Sequence, residues 1–402
     1  MVHGSRGADH FPTPVLGRPP GSPASCQGRY RPSSAFSWSI GDGGDPAELV
    51  TSYLAEGGLP VRELGRTANL FHPIGSGTVC GAALYVSAAA GSVMIGGPPG
   101  APSPVPAIPD VVAVVYVHTD DRPRRPPARE AVPPWWLGEW RDSWSRTEHA
   151  AAVDGVRAAI GRGDVYQVNV VGHASAPYAG DPRPALARVA GLPGARYGGV
   201  LAGDGWAVAT ASPETLVELR DGRVITRPIK GTRPATAAGR GELLASAKER
   251  AEHVMIVDLE RNDLSRLPGV GPVRVDELFA VRRWCDLWQA ESVVSAPLVA
   301  GVGLADLLRA VCPGGSVTGA PKRAALDEIA RWEPVGRGVS MGALGWVGAD
   351  HVDLGLSIRT VAVDGARVHV WAGGGITWGS DPAAEVDEAA AKAAPLRAAV
   401  AG

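Results

Sequence analysis

One short stretch of the chain combines residue types that suit amine chemistry. The run Ile225-Thr-Arg-Pro-Ile-Lys-Gly-Thr232 carries Lys230 from a β-branched segment onto a Gly-Thr turn, with Arg227 and Arg233 close in sequence. Burial and nearby positive charge both lower the pKa of a lysine, and a neutral amine is a nucleophile at physiological pH. The alternative is an ordinary surface lysine that leaves a strand.

Charged residues on the last predicted helix form a second candidate group. Asp381-Pro382 predicts the start of this helix, because proline is favoured at the first helical position. Glu385, Glu388 and Lys392 then follow at i, i+3 and i+7 and share one face. Two carboxylates one turn apart suit Mg²⁺. A further oxygen ligand could come from the acidic residues of an earlier predicted helix, which are Glu249, Glu252, Asp258, Glu260 and Asp263. The alternative is a solvated face with a Glu388–Lys392 ion pair.

Two further patterns bear on ligand binding. Gly314–Gly319 has the spacing of a nucleotide-binding loop, but Ala320-Pro321 follows where that loop requires Lys-Ser/Thr, so we reject it. Arg359, on a predicted strand, either binds a carboxylate through two parallel hydrogen bonds or forms a structural ion pair. No Ser-His-Asp or Cys-His pattern is legible. The sequence thus offers a metal site, an acid, an amine and anion-binding groups.

The bulk composition excludes several classes of function. The 402 residues are 45% apolar and 20% charged, which is typical of a globular protein. The net charge of −2, without a basic block, indicates no nucleic-acid partner and no membrane surface. Four widely spaced cysteines without a CxxC pair favour a reducing compartment. Because no long apolar run is present, we expect a cytoplasmic protein.

The order of sequence patterns predicts three regions. Residues 1–35 are rich in Pro, Gly, Ser and Arg and read as a disordered tail. Residues 36–134 read as an N-terminal sheet lobe and a linker, with strands at 81–87, 92–96 and 111–119. Residues 135–402 read as the catalytic region, with a single long helix from 242 to about 261. Grouped strands with helices between them predict an α+β fold.

Several turn and aromatic patterns refine this picture. Asp221-Gly222 predicts a tight hairpin turn between two strands. Four tryptophans, at positions 135, 136, 140 and 144, predict a core cluster or a plug between lobes, with stacking on a ligand as the alternative.

The motifs occur in the order of one known family. They are Gly163-Asp-Val-Tyr-Gln-Val-Asn169, Ser212-Pro-Glu214, Pro228-Ile-Lys-Gly-Thr232, Lys248–Asp263, Pro313–Lys322, Ser357-Ile-Arg359 and Gly373-Gly-Gly-Ile376 with the final-helix charges. From about residue 145 to 397 the chain resembles the chorismate-utilising enzymes. The resemblance implies one large two-lobed α+β domain, in which antiparallel sheets pack face to face and are surrounded by helices.

Within this family, the sequence is most similar to the members that aminate chorismate at C4, the aminodeoxychorismate synthases of para-aminobenzoate and folate synthesis. Lys230 is the discriminating residue, since anthranilate and isochorismate synthases generally carry alanine there. The resemblance implies that Glu214 protonates the departing C4 hydroxyl while Lys230 attacks C2. Ammonia then adds at C4 and expels the lysine.

The resemblance also implies the other site residues and the partners. Mg²⁺ is expected at Glu252, Glu388 and Glu385, and the substrate at Thr232, Arg359, Gly373, Gly374, Gly375 and Lys392. The chain shows no glutaminase signature, so a separate glutaminase subunit is expected to deliver ammonia. Gln289 and Ala235 replace a histidine and an arginine usual in relatives. Two alternatives therefore stay open: an anthranilate synthase component I, and a weakly active chorismate-binding partner of a glutaminase.

Overall fold

The computed structural model describes residues 30–64, 76–120, 134–298 and 301–402. The helices in these ranges are α1 (Pro46–Glu56), α2 (Ala88–Met94), α3 (Arg146–Arg162), α4 (Arg183–Ala190), α5 (Ala237–Ala245), α6 (Ala247–Ser265), α7 (Leu304–Val311), α8 (Lys322–Trp332) and α9 (Pro382–Ala401). The strands are β1 (Tyr30–Trp38), β2 (Val79–Val86), β3 (Val111–His118), β4 (Trp136–Leu137), β5 (Arg141–Asp142), β6 (Gln167–Ala179), β7 (Tyr197–Gly203), β8 (Trp206–Ser212), β9 (Thr215–Arg220), β10 (Arg223–Arg227), β11 (Ile229–Pro234), β12 (Arg274–Trp284), β13 (Leu287–Pro297), β14 (Gly319–Ala320), β15 (Ala343–Gly348), β16 (Val352–Leu356), β17 (Thr360–Val363) and β18 (Arg367–Ile376).

Two antiparallel sheets form the framework. The larger sheet has the order β1-β3-β2-β15-β16-β9-β10-β13-β11, with β12 also paired to β13. The smaller has the order β14-β6-β18-β17-β8-β7, with β4 and β5 paired to β6. The largest apolar cluster draws buried side chains from both sheets, including Leu84 and Leu354 of the larger and Val208 and Trp371 of the smaller. The sheets therefore pack face to face, which confirms the predicted α+β class.

The expected boundary between the N-terminal tail and the sheet lobe is wrong. Residues 30–35, expected in the tail, begin β1, whose Tyr30 pairs with His118 and packs its ring 5.4 Å from that of Tyr116. The antiparallel sheet predicted for the lobe at 36–134 is present in β1, β3 and β2. It is part of the larger sheet, because β2 also pairs with β15 along its length. The rest of the tail and nearly all of the linker lie outside the described residues.

Two secondary-structure predictions are also corrected. The apolar run at 92–96 is not a strand, since α2 occupies Ala88–Met94 behind an N-cap in which Ser87 Oγ accepts from Ala90 N. A short apolar run does not distinguish a strand from a buried helix. The long helix expected at 242–261 is two helices, because Ser246 is non-helical (ψ 106°) and caps α6 by accepting from Glu249 N.

The predicted hairpin turn is confirmed, because its backbone conformation restricts which residues can form it. Asp221 and Gly222 both have positive φ, at 51° and 69°, and join β9 to β10 in the predicted hairpin. Of the four tryptophans, Trp135 has its ring 5.2 Å from that of Tyr178 on β6, Trp140 lies under the guanidinium of Arg397 on α9, and Trp144 stacks on His149 of α3. Trp136 is 56% exposed, so the predicted core cluster does not include all four. No helix in the described ranges is long and apolar enough to span a bilayer.

Candidate active site

The predicted site residues come together around one cleft, at the junction of the two sheets with α6 and α9. The residues singled out from the sequence that line it are Glu214, Lys230, Thr232, Glu252, Gln289, Arg359, Gly373, Gly375, Glu385, Glu388 and Lys392. Gly374 is not part of the lining, but a Cβ built there would lie 2.9 Å from Glu385 Oε2. Residues up to 223 positions apart in sequence therefore share one site, from Asn169 to Lys392.

Lys230 is half-buried at the start of β11 and points into the cleft. Its Nζ donates to the carbonyl of Ser316 at 3.1 Å. The pairing of β11 with β13 shifts register between Lys230 and Thr232, where Gly231 has a φ of 75° that glycine adopts without strain. Burial, and then the charge of Lys392, lower the pKa of Lys230, while Glu214 opposes that change. The environment therefore makes the neutral amine easier to form than it is for a lysine in water.

Among the neighbouring carboxylates, Glu214 has the strongest electrostatic effect on the pKa of Lys230. It is 4% exposed, between β8 and β9. Its Oε1 accepts from Ser316 Oγ at 2.6 Å and from Ile229 N at 3.3 Å. Burial raises the pKa of Glu214 to about 7, even though these hydrogen bonds and Lys230 favour the charged form. Near neutral pH this carboxyl can both hold and release a proton.

Arg359 is held in a constrained conformation at the cleft wall. It is 6% exposed, and its φ of 52° lies in the left-handed region. Its guanidinium stacks 4.3 Å from the ring centre of Trp284, and Nη1 donates to the carbonyl of Lys392 at 2.9 Å. Burial lowers its pKa to about 10, so the group stays charged. No ion pair of Arg359 occurs among the described residues, so a ligand carboxylate is its natural partner.

The glycine triplet allows the backbone of β18 to lie against the cleft. Gly375 pairs with Asn169 of β6, and a Cβ at Gly375 would clash with Gln167 Nε2 and lie 2.9 Å from Lys230 Nζ. A Cβ at Gly373 would clash with the carbonyl of Val170. At Gly373 and Gly375, which are predicted to bind the substrate, there is therefore no room for a side chain.

Glu252, Glu385 and Glu388 line the cleft, each with one oxygen already engaged. Oε1 of Glu252 accepts from Thr377, that of Glu385 from Ser380, and that of Glu388 contacts Lys392 Nζ at 2.6 Å. The Glu388–Lys392 ion pair predicted as the alternative thus exists, but inside the cleft. Burial raises the pKa of both Glu252 and Glu385, while Lys392 lowers that of Glu388.

The second oxygen of each of these carboxylates makes no hydrogen bond to the described part of the chain. No group of three or more acidic, His or Cys side chains there is close enough to form a complete metal site. Mg²⁺ usually takes only one or two protein carboxylates and completes its shell with substrate oxygens and water. The donor chemistry therefore fits Mg²⁺ bound together with an anionic substrate.

Sequence reasoning assigned no role to Ser316 or Asn169. Ser316 lies in a 3-10 turn, Gly315–Val317, and its two oxygens contact Lys230 and Glu214. Asn169 is 6% exposed, lines the cleft, and its Oδ1 has no hydrogen-bond partner among the described residues. The same is true of Oε1 of Gln289. Both motifs containing Ser316 and Asn169 were visible, but their spacing does not reveal these contacts.

Comparisons with known proteins find two enzymes of similar sequence. Aminodeoxychorismate synthase component 1 of Klebsiella aerogenes is 39% identical over 256 residues, covering 62% of this chain and 57% of that protein. Anthranilate synthase component 1 of Streptomyces coelicolor is 39% identical over 269 residues, covering 65% of this chain and 53% of that protein. The chain therefore spans little more than half the length of these relatives.

A solved structure extends the likeness to the whole fold. The crystal structure of anthranilate synthase component I from Streptococcus pneumoniae superposes with a TM-score of 0.71 at 25% identity, covering 95% of this chain and 93% of that one. The family model described as chorismate binding enzyme matches residues 110–398, well over half of the chain. The chain therefore belongs to the chorismate binding enzyme family.

Proposed function

We propose that the protein aminates chorismate at C4, as an aminodeoxychorismate synthase component I. The observation that carries this proposal is Lys230, an amine with a lowered pKa inside the cleft and linked through Ser316 to Glu214. Direct attack of ammonia on C2 would need no such nucleophile. An amine is needed when nitrogen must end on the carbon that lost oxygen, because two successive displacements are then required.

The proposed reaction divides the work between the acid and the amine. Neutral Lys230 Nζ attacks C2, the ring double bond shifts, and the C4–O bond breaks as Glu214 delivers its proton to the departing hydroxyl, which leaves as water. Ammonia then attacks C4, the double bond shifts back, and the C2–N bond breaks with its electron pair returning to Lys230 Nζ. The ammonium formed at C4 gives one proton back to Glu214, so that both groups are restored. A pKa of Glu214 of about 7 suits an acid that must give up a proton near neutral pH.

The remaining residues bind and orient the substrate in this proposal. Arg359 takes the pyruvyl carboxylate, while Lys392, Thr232 and the Gly373–Gly375 backbone hold the ring. Glu252 and Glu388, with Glu385 beside them, would hold Mg²⁺, which when bound neutralises and orients the ring carboxylate. Ammonia is proposed to come from a separate glutaminase; the designation component 1 of both relatives supports a second component.

Anthranilate synthase is the second candidate, because a relative of that name is equally identical at 39%. The deciding experiment incubates the purified protein with chorismate, Mg²⁺ and ammonium salt and identifies the product by mass spectrometry and fluorescence. We expect 4-amino-4-deoxychorismate. Fluorescent anthranilate would establish the second candidate instead. If neither product forms but calorimetry shows that the protein binds chorismate, the protein would instead be the weakly active partner of a glutaminase.

A further inference from the structure

A buried ion pair lies directly behind the cleft without lining it. The side chains of Glu333 and Arg337 are 5% and 7% exposed, and they meet in two parallel contacts. Arg337 Nη2 lies 2.6 Å from Glu333 Oε1, and Arg337 Nε lies 2.8 Å from Oε2. Bringing two charges out of water is costly, so a pair of this kind is favourable only when its remaining hydrogen-bonding groups are also satisfied.

Those remaining groups all bind backbone atoms next to the site. Arg337 Nη1 donates to the carbonyl of Val317 at 2.6 Å, and Nη2 donates to the carbonyl of Asn169 at 2.9 Å. Oε1 of Glu333 accepts from Val171 N at 3.0 Å. Val317 and Asn169 themselves line the cleft. The ion pair therefore ties the 3-10 turn that contains Ser316 to strand β6.

This tie restrains Ser316, which contacts both proposed reacting groups. Ser316 precedes Val317, donates its hydroxyl to Glu214 and accepts from Lys230 at its carbonyl. A displacement of the turn would therefore move both contacts together. The planar guanidinium can hold Val317 and Asn169 while it binds Glu333, whereas an ammonium group acts from a single point.

We propose that the Glu333–Arg337 pair is a positioning device, which holds the Ser316 turn against β6 so that acid and amine keep their relative orientation. The inference rests on the proposed function for its kinetic consequences. The structural part of the inference is that the pair restrains the turn, and it can be tested without measuring catalysis.

The central variant is Arg337→Lys, which keeps the ion pair but loses the planar fork. Arg188→Lys is the matched control, because Arg188 also donates to two backbone carbonyls, those of Ala399 and Val400, at the far end of α9. We expect kcat of Arg337→Lys to fall about 10- to 100-fold with KM within about twofold, since orientation is lost rather than binding. Arg188→Lys should leave both values unchanged.

The pH profile separates positioning from general destabilisation. Ser316 favours the charged form of Glu214, so a loosened turn should move the alkaline limb of the kcat profile to higher pH. In a Ser316→Ala background, Arg337→Lys should cause no further displacement of this limb. An unchanged limb and kcat in Arg337→Lys, or full additivity with Ser316→Ala, would overturn the proposal.

Amide hydrogen exchange tests, without any measurement of activity, whether the ion pair restrains the turn. The segment 313–319 should exchange at least about tenfold faster in Arg337→Lys than in the wild type, because its anchoring hydrogen bonds are weakened. Equal exchange rates would contradict the proposal even if the wild type is inactive, whereas an inactive wild type alone would contradict only the proposed function. If Arg337→Lys does not fold, Glu333→Gln/Arg337→Met removes both charges at similar volume, and the same readouts and outcomes apply.

Discussion

The hydroxyl of Ser316 donates a 2.6 Å hydrogen bond to Oε1 of Glu214, across 102 positions of sequence. The bond favours the carboxylate form of an acid whose burial favours the neutral form. The pKa of about 7 is the balance of these opposing effects. Ser316 therefore sets how readily Glu214 gives up its proton.

Replacement of Ser316 by alanine should shift this balance. Without the donated hydrogen bond the pKa of Glu214 rises, and the alkaline limb of kcat, which reports the loss of its proton, moves to higher pH. We expect kcat at pH 7 to fall about tenfold, because Glu214 becomes a weaker acid and loses an orienting contact. A kcat profile measured with ammonium at saturating chorismate checks this. A limb that moves to lower pH would contradict the assigned role.

Replacement of Lys230 by alanine should remove amination at C4. The proposed nucleophile is lost, so we expect formation of 4-amino-4-deoxychorismate to fall by at least about 100-fold. Ammonia can still reach C2 directly, and the residual product should carry nitrogen there. Product analysis by mass spectrometry and anthranilate fluorescence tests both points. An undiminished yield of the C4 product would show that the amine is not part of the reaction.

Replacement of Arg359 by lysine should weaken substrate binding more than chemistry. Lysine cannot donate two parallel hydrogen bonds to a carboxylate, and it loses the stacking on Trp284. We expect the dissociation constant for chorismate to rise about 10- to 100-fold, which corresponds to roughly 1.4–2.8 kcal/mol. Isothermal titration with wild type and variant measures it. Equal dissociation constants would mean that Arg359 binds no carboxylate of the substrate.

Replacement of Glu388 by glutamine should weaken Mg²⁺ binding. We expect the Mg²⁺ concentration for half-maximal thermal stabilisation, with chorismate present, to rise at least about tenfold. Asp387→Asn is the matched control, because Asp387 lies on the same helix, is 70% exposed, and pairs with Arg146 outside the cleft. The same rise in both variants would indicate a general charge effect rather than a metal ligand.

The sequence allowed a candidate amine and a candidate acid to be singled out, but not the contacts that connect them. The residue types around Lys230 suggest an amine nucleophile, whereas the acid role proposed for Glu214 comes only from the resemblance to the family. Ser316 lies 86 and 102 positions from these two groups, so only the packing of the 3-10 turn against both sheets brings it near them. Spacing along a helix or strand carries no information about such pairs.

In the fold, too, features set by neighbouring residues could be predicted, whereas the pairing of distant strands could not. The Asp221-Gly222 hairpin was predictable because its positive φ angles require these residue types. The extent of the larger sheet was not, since β2 pairs with β15 more than 250 positions away. Likewise, the helix α2 was mistaken for a strand because its short apolar run fits both structures once it is buried.

Replacement of Gly375 by alanine tests the close approach of β18 to Lys230. The new methyl group would clash with the side-chain amide of Gln167 and lie 2.9 Å from Lys230 Nζ. Both neighbours are the ends of flexible side chains, so we expect the fold to persist while the amine is displaced. kcat should fall at least about 100-fold, because a misplacement of about 1 Å has effects of this size.

Gly241→Ala in α5 is the control for this substitution, since a Cβ there meets nothing within 4 Å. It should leave kcat unchanged and raise the free energy of unfolding by about 0.5–1 kcal/mol, because alanine favours the helix. Urea unfolding of both variants separates the two effects. If Gly375→Ala loses activity only in proportion to a loss of folded protein, the glycine is needed for packing and not for the position of Lys230.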